Sequence, residues 1–296
     1  FRYTKQWTSS ASILSLSIHV IRKFVIDVVG QRSMYGRGKV LIIDQADDML
    51  SNAQNALLKT LEEPPPGVSL ILISSNKVKL LPTIRSRVQE VAFKGLPPSF
   101  IASQLMPLVS EQSEATYWSD FCEGSLGSAI DHVNKQLYPI KNSLVEKLAQ
   151  LDQTGVIALA KWIIDQSKAE TKKYQKNDKA LTASAATRTA YRSFIAILAH
   201  TFKRAIRSHA VMQRGDLHIS GEGQDIFLPL SQGDQWVLID EIALKFGISG
   251  CAKAVYITHQ ISSELDANTN PSLLFESLLL QYLNCMRSSC QNATAN

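Results

Sequence analysis

The chain has 296 residues, 45% hydrophobic and 19% charged, with a formal net charge of +5. That length and apolar content point to more than one domain with cores of ordinary size, and the modest basic bias permits contact with nucleic acid without requiring it. No apolar run reaches the ~18 residues of a membrane span; Ile13 to Val29 is interrupted by His19, Arg22, Lys23 and Asp27.

The same stretch lacks the charged start and cleavage site of a signal peptide. Position 1 is Phe, the pattern of a fragment or a mis-started reading frame. Cys122, Cys251, Cys285 and Cys290 include no C-x-x-C pair, so zinc ligation within the chain is not expected, and scattered single thiols fit a reducing cytosol.

In chain order, Ile18, Ile21, Val25, Val28 and Val29 predict an amphipathic helix, closed by a turn at Gly36 and Gly38. Val40 to Ile43 reads as a strand buried on both faces. Ser51 with Gln54 three residues on is the pattern of a capping box, followed by a helix whose Ala53, Leu57 and Leu61 share a face and which Pro64–Pro66 stop. Ser69 to Ile73 is the next strand, completing a parallel βαβ unit, and Val91–Phe93 reads as a further short strand. Gly95-Leu96-Pro97-Pro98 marks a boundary.

Beyond that boundary strand signals fade. Residues 99–135 predict two or three short helices with Phe121, Leu126 and Ile130 as buried contacts. Long amphipathic helices follow, carried by Tyr191, Phe194, Ile195, Leu198, Phe202 and Ile206, and by Leu273, Leu274, Leu278, Tyr282 and Met286. Lys168 to Leu181 reads as a loop or an exposed helix end, and Gln291–Asn296 as a polar, disordered tail.

Six positions bear chemistry. Asp44 ends an apolar strand, where ligands of open parallel sheets bind; it is either a Mg²⁺-directed acid or a turn residue. Gln45 follows it, and an amide can hydrogen-bond a water but cannot accept its proton. Ser74, Ser75 and Asn76 end the neighbouring strand, as γ-phosphate sensors or as loop residues satisfying the backbone. Arg87, after Ser86, is either a guanidinium presented to a neighbouring subunit's transition state or a surface ion-pair residue. Arg85 reads as a local ion-pair or packing residue, and Lys59 as the i,i+4 partner of Glu63. Residues 161–214 hold twelve Lys or Arg against three Asp or Glu, a solvated helix face or a nucleic-acid stripe.

Asn55-Ala56-Leu57-Leu58-Lys59-Thr60-Leu61-Glu62-Glu63-Pro64-Pro65 resembles the signature helix of bacterial DNA polymerase III clamp-loader subunits. Val40 to Asp44 is similar to that family's ATPase strand. Leu80 to Gln89 is similar to the flank of its Ser-Arg-Cys motif, with Ser86-Arg87 matching and Val88 in place of the cysteine. Gly124 to Ala129 resembles its second sensor, with Gly127 where the motor subunits carry an arginine. The motif similarity covers about residues 18–130.

The resemblance implies an α/β plus all-α chain. Residues 1–95 would be the C-terminal part of a truncated AAA+ parallel-sheet nucleotide-binding fold, 96–138 a small helical lid, 139–290 a helical collar and 291–296 a tail. It implies a non-hydrolysing member in which Arg87, with Ser86, serves a neighbour's site in trans, while Asp44 and Asn76 are vestigial nucleotide contacts. No metal is implied for this chain; ATP and Mg²⁺ belong to neighbouring subunits. The implied partners are gamma/tau and delta subunits, with the sliding clamp and primed DNA engaged through the assembly, in the bacterial cytoplasm at the replisome. The phosphate loop and the family's zinc module would lie upstream of Phe1. A hydrolysing gamma/tau-like subunit, truncated, and a stand-alone DNA-binding protein are the alternatives.

Overall fold

The computed structural model describes residues 16–31, 38–177, 182–214, 235–265 and 270–293, with side chains throughout except at 177, 211–214 and 287–293. The described residues are mostly helical with a small two-stranded parallel sheet. It divides into two compact units, Phe1–Phe93 and Lys94–Asn296.

In the first unit, β1 (Lys39–Ile43) and β2 (Val68–Leu72) pair in parallel, with Lys39 opposite Val68 and Ile43 opposite Leu72. The crossover between them is α3 (Ser51–Glu62), so the strand–helix–strand unit forms as its pattern predicts. The N-terminal helix forms too: α1 (Ile18–Ile21) passes through a π-helical turn (Arg22–Ile26) into α2 (Asp27–Val29). Ile21, Val25 and Val29 recur every four residues and are buried against Ile43, Ala53, Leu57 and Ile84 in one core. Lys39 Nζ donates to the Val28 carbonyl at 2.6 Å, placing a cation at the negative end of that helix. Gly38 has φ +91°, and a Cβ there would lie 2.6 Å from the Gly67 carbonyl oxygen. This close approach lets the Lys39 N–H reach that oxygen at 2.7 Å and start the ladder. Gly36 lies outside the described residues.

Two expectations fail here. The strands are not buried on both faces: the helices pack on the side of Leu41, Ile43, Leu70 and Leu72, while Val40, Ile42 and Ile71 are exposed, Ile42 by 63%. Apolar character alone did not distinguish a strand covered on one face from one covered on both. Val91–Phe93 forms no strand, and Phe93 is 93% exposed. A short apolar run pairs only where an open edge is in register with it, and among the described residues none is paired with this one.

The second unit holds α5 (Pro98–Leu105), α6 (Gln112–Phe121) and α7 (Leu126–Asn134), then α8 (Tyr138–Ala149), α9 (Val156–Asn177), α10 (Ala183–Arg214), α11 (Trp236–Glu264) and α12 (Pro271–Ala293). Three apolar clusters form among its described residues, the smallest of them Tyr174 with Ala186 and Ala190. The first is built on Ile101, Leu105, Tyr117, Trp118, Ala129, Leu137 and Tyr138. Phe121, Leu126 and Ile130, predicted as its buried contacts, are only partly buried at its margin. The second joins the long helices: Tyr191, Phe194, Ile195, Leu198 and Phe202 are buried as their period predicts, with Leu274, Leu278 and Tyr282. Leu273 is instead 62% exposed, because it precedes Leu274 by one residue and so points about 100° away round the helix. The charged stretch from Lys168 is the last turns of α9 as far as Asn177, and 178–181 lie outside the described residues. α12 continues through Ala293, into the expected tail; 294–296 lie outside the described residues.

A polar clasp fastens α6 to α10. Asp120 takes Arg207 in a two-pronged ion pair, Nη1 to Oδ1 at 2.9 Å and Nη2 to Oδ2 at 2.8 Å. His200 Nε2 lies 3.0 Å from Asp120 Oδ2, and Lys203 Nζ pairs with Glu123 at 3.0 Å. His200, Lys203 and Arg207 stand at i, i+3 and i+7, one helical face.

Candidate functional site

The polar groups singled out in the sequence gather in the first unit, at the carboxyl ends of the two strands and on the short helix that follows them. Asp44 is exposed in the turn after β1, and its Oδ1 accepts the Gln45 N–H at 2.9 Å. Gln45 has φ 51° in the left-handed region, and the chain then closes back on the sheet through the Ala46 N–H to the Ile73 carbonyl at 2.8 Å. Beyond β2, Ser74 Oγ accepts the Asn76 N–H at 3.2 Å, and Asn76 Oδ1 accepts the Val78 N–H at 3.1 Å, capping a single 3-10 turn, Lys77–Lys79. Asp44 and Asn76 thus use their oxygens on local turns. Among the described residues no hydrogen bond or ion pair links them to each other or to Arg87. One exposed carboxylate already bonded to its own turn does not by itself make a Mg²⁺ site, which takes several oxygen ligands in octahedral array.

Arg87 is better constructed. Pro82 opens α4 (Pro82–Arg85), where its missing N–H costs nothing. Ile84 is fully buried in the core and anchors the helix from beneath. Above it Arg87 folds back: Nη1 donates to the Thr83 carbonyl at 2.9 Å and to Ser86 Oγ at 3.2 Å, while Nη2 pairs with Glu62 Oε1 at 2.5 Å. Ser86 Oγ in turn donates to Thr83 O at 3.1 Å. The Arg87 side chain is 34% exposed. A guanidinium carries five N–H donors, so these bonds leave donors for an external anion.

Gln54 is the residue the sequence reading missed. The expected capping box does not form: Leu50 is the N-cap of α3 and makes no side-chain cap bond. Gln54 is instead buried, 2% exposed, and bridges two segments. Its Nε2 donates to the Met49 carbonyl at 3.0 Å and the Lys79 carbonyl at 3.2 Å, and its Oε1 accepts the Leu81 N–H at 2.7 Å. It thereby fixes the backbone that leads into α4. A glutamine between Ala53 and Leu57 on an apolar face was the available signal.

The Lys59–Glu63 pair also fails to form. α3 ends at Glu62, and Glu63 turns out of the helix with φ −129° and ψ 70°. The carboxylate on this helix that finds a cation is Glu62, with Arg87. Among the described residues the Arg85 side chain makes no hydrogen bond; its charge adds to that of Lys77, whose 2.7 Å bond to Glu90 holds that carboxyl below its usual range.

In the second unit Ser125 N-caps α7, accepting the Ser128 N–H at 3.3 Å. Gly127 lies in the first turn of that helix, and a Cβ there would meet nothing within 4 Å.

Residues 5–97 match the family described as DNA polymerase III, delta subunit. Over this segment the chain is similar to DNA polymerase III subunits. It is 46% identical over 71 residues to the delta-prime subunit of Pseudomonas aeruginosa, covering 23% of this chain and 22% of that one. To the delta-prime subunit of Bacillus subtilis it is 44% identical over 68 residues, 23% of this chain and 21% of the other. To the tau subunit of Salmonella typhimurium it is 29% identical over 152 residues, 48% of this chain and 24% of the other. The chain thus spans only 21–24% of the length of these relatives. A solved gamma subunit-related protein of Thermotoga maritima aligns with 92% of this chain and 80% of its own, at 17% identity and a TM-score of 0.44. Among the described residues no helix is long and apolar enough to cross a membrane.

Proposed function

We propose that this chain is a clamp-loader subunit of the non-hydrolysing delta-prime type, which lends Arg87 in trans to the ATP site of an adjacent gamma/tau subunit. In this reading residues 1–95 belong to an AAA+ domain, 96–138 are its lid and 139–290 the collar that assembles with gamma/tau and delta. ATP and Mg²⁺ are bound and turned over in neighbouring subunits. The sliding clamp and primed DNA are engaged by the whole cytoplasmic assembly.

The observation that carries the proposal is the build of Arg87. It is surface-placed, held at its base by buried Ile84 and by the Gln54 bridge, and retains unused N–H donors. A guanidinium so presented stabilises charge on a transferring phosphoryl group. Gln45 supports the non-hydrolysing half of the reading: it follows Asp44 at the position where a hydrolase needs a carboxylate, and it cannot take a proton from water. Gly127 supports it too, since it offers no cation to a phosphate. Replacing Arg87 by Ala in the reconstituted ring and following clamp- and primer-stimulated ATP hydrolysis tests the proposal.

A second reading, a gamma/tau-like motor, is favoured by the greater reach of the tau alignment, 48% of this chain against 23% for the delta-prime alignments. It predicts ATP hydrolysis by the isolated full-length protein, where the delta-prime reading predicts none.

A further inference from the structure

We infer that Glu62 restrains Arg87, so that the arginine reaches a neighbouring phosphoryl group only by exchanging one anion for another. This rests on the trans reading of Arg87 and adds its regulation.

The contacts of Arg87 are of two kinds. Thr83 O and Ser86 Oγ are neutral and bind Nη1, fixing the guanidinium to α4 without opposing its charge. Glu62 is an anion, 2.5 Å from Nη2. A carboxylate so close cancels much of the field that the guanidinium would otherwise project, and a phosphate oxygen approaching Nη2 competes with it directly. Glu62 has its own reason to hold on. It is the last residue of α3, where the exposed carbonyls disfavour a negative charge. Arg87 relieves that repulsion, and release restores it. The pair is nevertheless surface-placed, with side chains 34% and 47% exposed, and such pairs are weak enough to exchange readily. The arrangement is a restraint that a well-placed phosphate can displace and a badly placed one cannot.

The test uses a reconstituted ring containing the full-length chain, in which the other motor sites are inactivated so that the site receiving Arg87 is read alone. ATP hydrolysis is followed with and without clamp for Glu62→Gln, Glu62→Ala, Arg87→Ala and the double variant Glu62→Ala with Arg87→Ala. Removing the carboxylate should raise clamp-independent hydrolysis about two- to fivefold, the span of an exposed ion pair. The double variant should match Arg87→Ala, because Glu62 acts only through the arginine. If Arg87→Ala lowers the rate but neither Glu62 variant raises it, the restraint is overturned and the trans reading stands. If Arg87→Ala has no effect in an intact ring, both fall. A ring that no longer assembles with either Glu62 variant makes Glu62 an assembly residue and overturns the restraint.

Discussion

Gln54 Oε1 accepts the backbone N–H of Leu81 at 2.7 Å, joining the first turn of α3 to the segment that delivers Arg87. The same amide donates to Met49 and Lys79 carbonyls, so one buried side chain satisfies three backbone groups. Gln54→Leu keeps the volume but strands those groups. A loss of about 2–3 kcal/mol in urea unfolding is expected, the cost of unpaired buried polar groups. A change within experimental error would show that water or rearranged backbone replaces the amide.

Gly124 has φ +96°, and a Cβ on it would come within 2.5 Å of Gly95 Cα. The two backbones touch because neither has a side chain, and Leu96 N–H reaches the Gly124 carbonyl at 2.9 Å. Gly124→Ala combines a left-handed backbone with a clash against main chain, and a destabilisation of about 2 kcal/mol or more is expected. Gly127→Ala, three residues on, meets open space in a helix and should stabilise by about 0.5 kcal/mol. Thermal unfolding of the two variants should move in opposite directions.

The Asp120–His200–Arg207 clasp predicts a pH dependence. Burial pushes the His200 imidazole below its usual range, despite its hydrogen bond to Asp120. Its buried Nδ1 has no hydrogen-bond partner among the described residues, which suits a neutral ring whose Nε2–H donates to the carboxylate. Asp120 is held well below the ordinary carboxylate range: burial works against this, but the hydrogen bonds from His200 and Arg207 outweigh it. Both folded pKa values are therefore depressed. Below about pH 6.5 the unfolded chain protonates His200 and the folded chain does not, so stability falls on acidification, by at most about 1.4 kcal/mol per pH unit from this group. Below about pH 4 the contribution of Asp120 is lost as well. Urea unfolding between pH 7.5 and 5 should weaken for the wild type and weaken less for His200→Phe.

Much of the first unit was legible in the sequence because it is local. Short apolar runs rich in β-branched residues, a helix with one apolar face and three prolines are enough to place β1, α3 and β2, though not to tell which strand face is covered. What lay beyond reach were contacts between residues far apart in sequence. Gln54 looked like a capping partner of Ser51 because spacing is blind to direction: the same i, i+3 relation serves a cap or leaves the amide free to face the core. Glu62 and Arg87 are 25 residues apart and carried no shared pattern, whereas Lys59 and Glu63 offered a ready local pair that the helix end at Glu62 prevents. The clasp joining Asp120 to His200 and Arg207 spans 80 and 87 residues, and nothing in periodicity points to it. For Asp44 and Asn76 the sequence left two roles open, and the geometry finds each engaged in its own turn.

The most direct measurement is clamp- and primer-stimulated ATP hydrolysis by a reconstituted ring carrying Arg87→Ala in the full-length chain. A guanidinium acting in trans predicts a fall of ~10³ or more in the one site it serves, diluted in the whole-ring rate by the sites it does not touch. An unchanged rate at that site, in a ring that still assembles, would contradict the account.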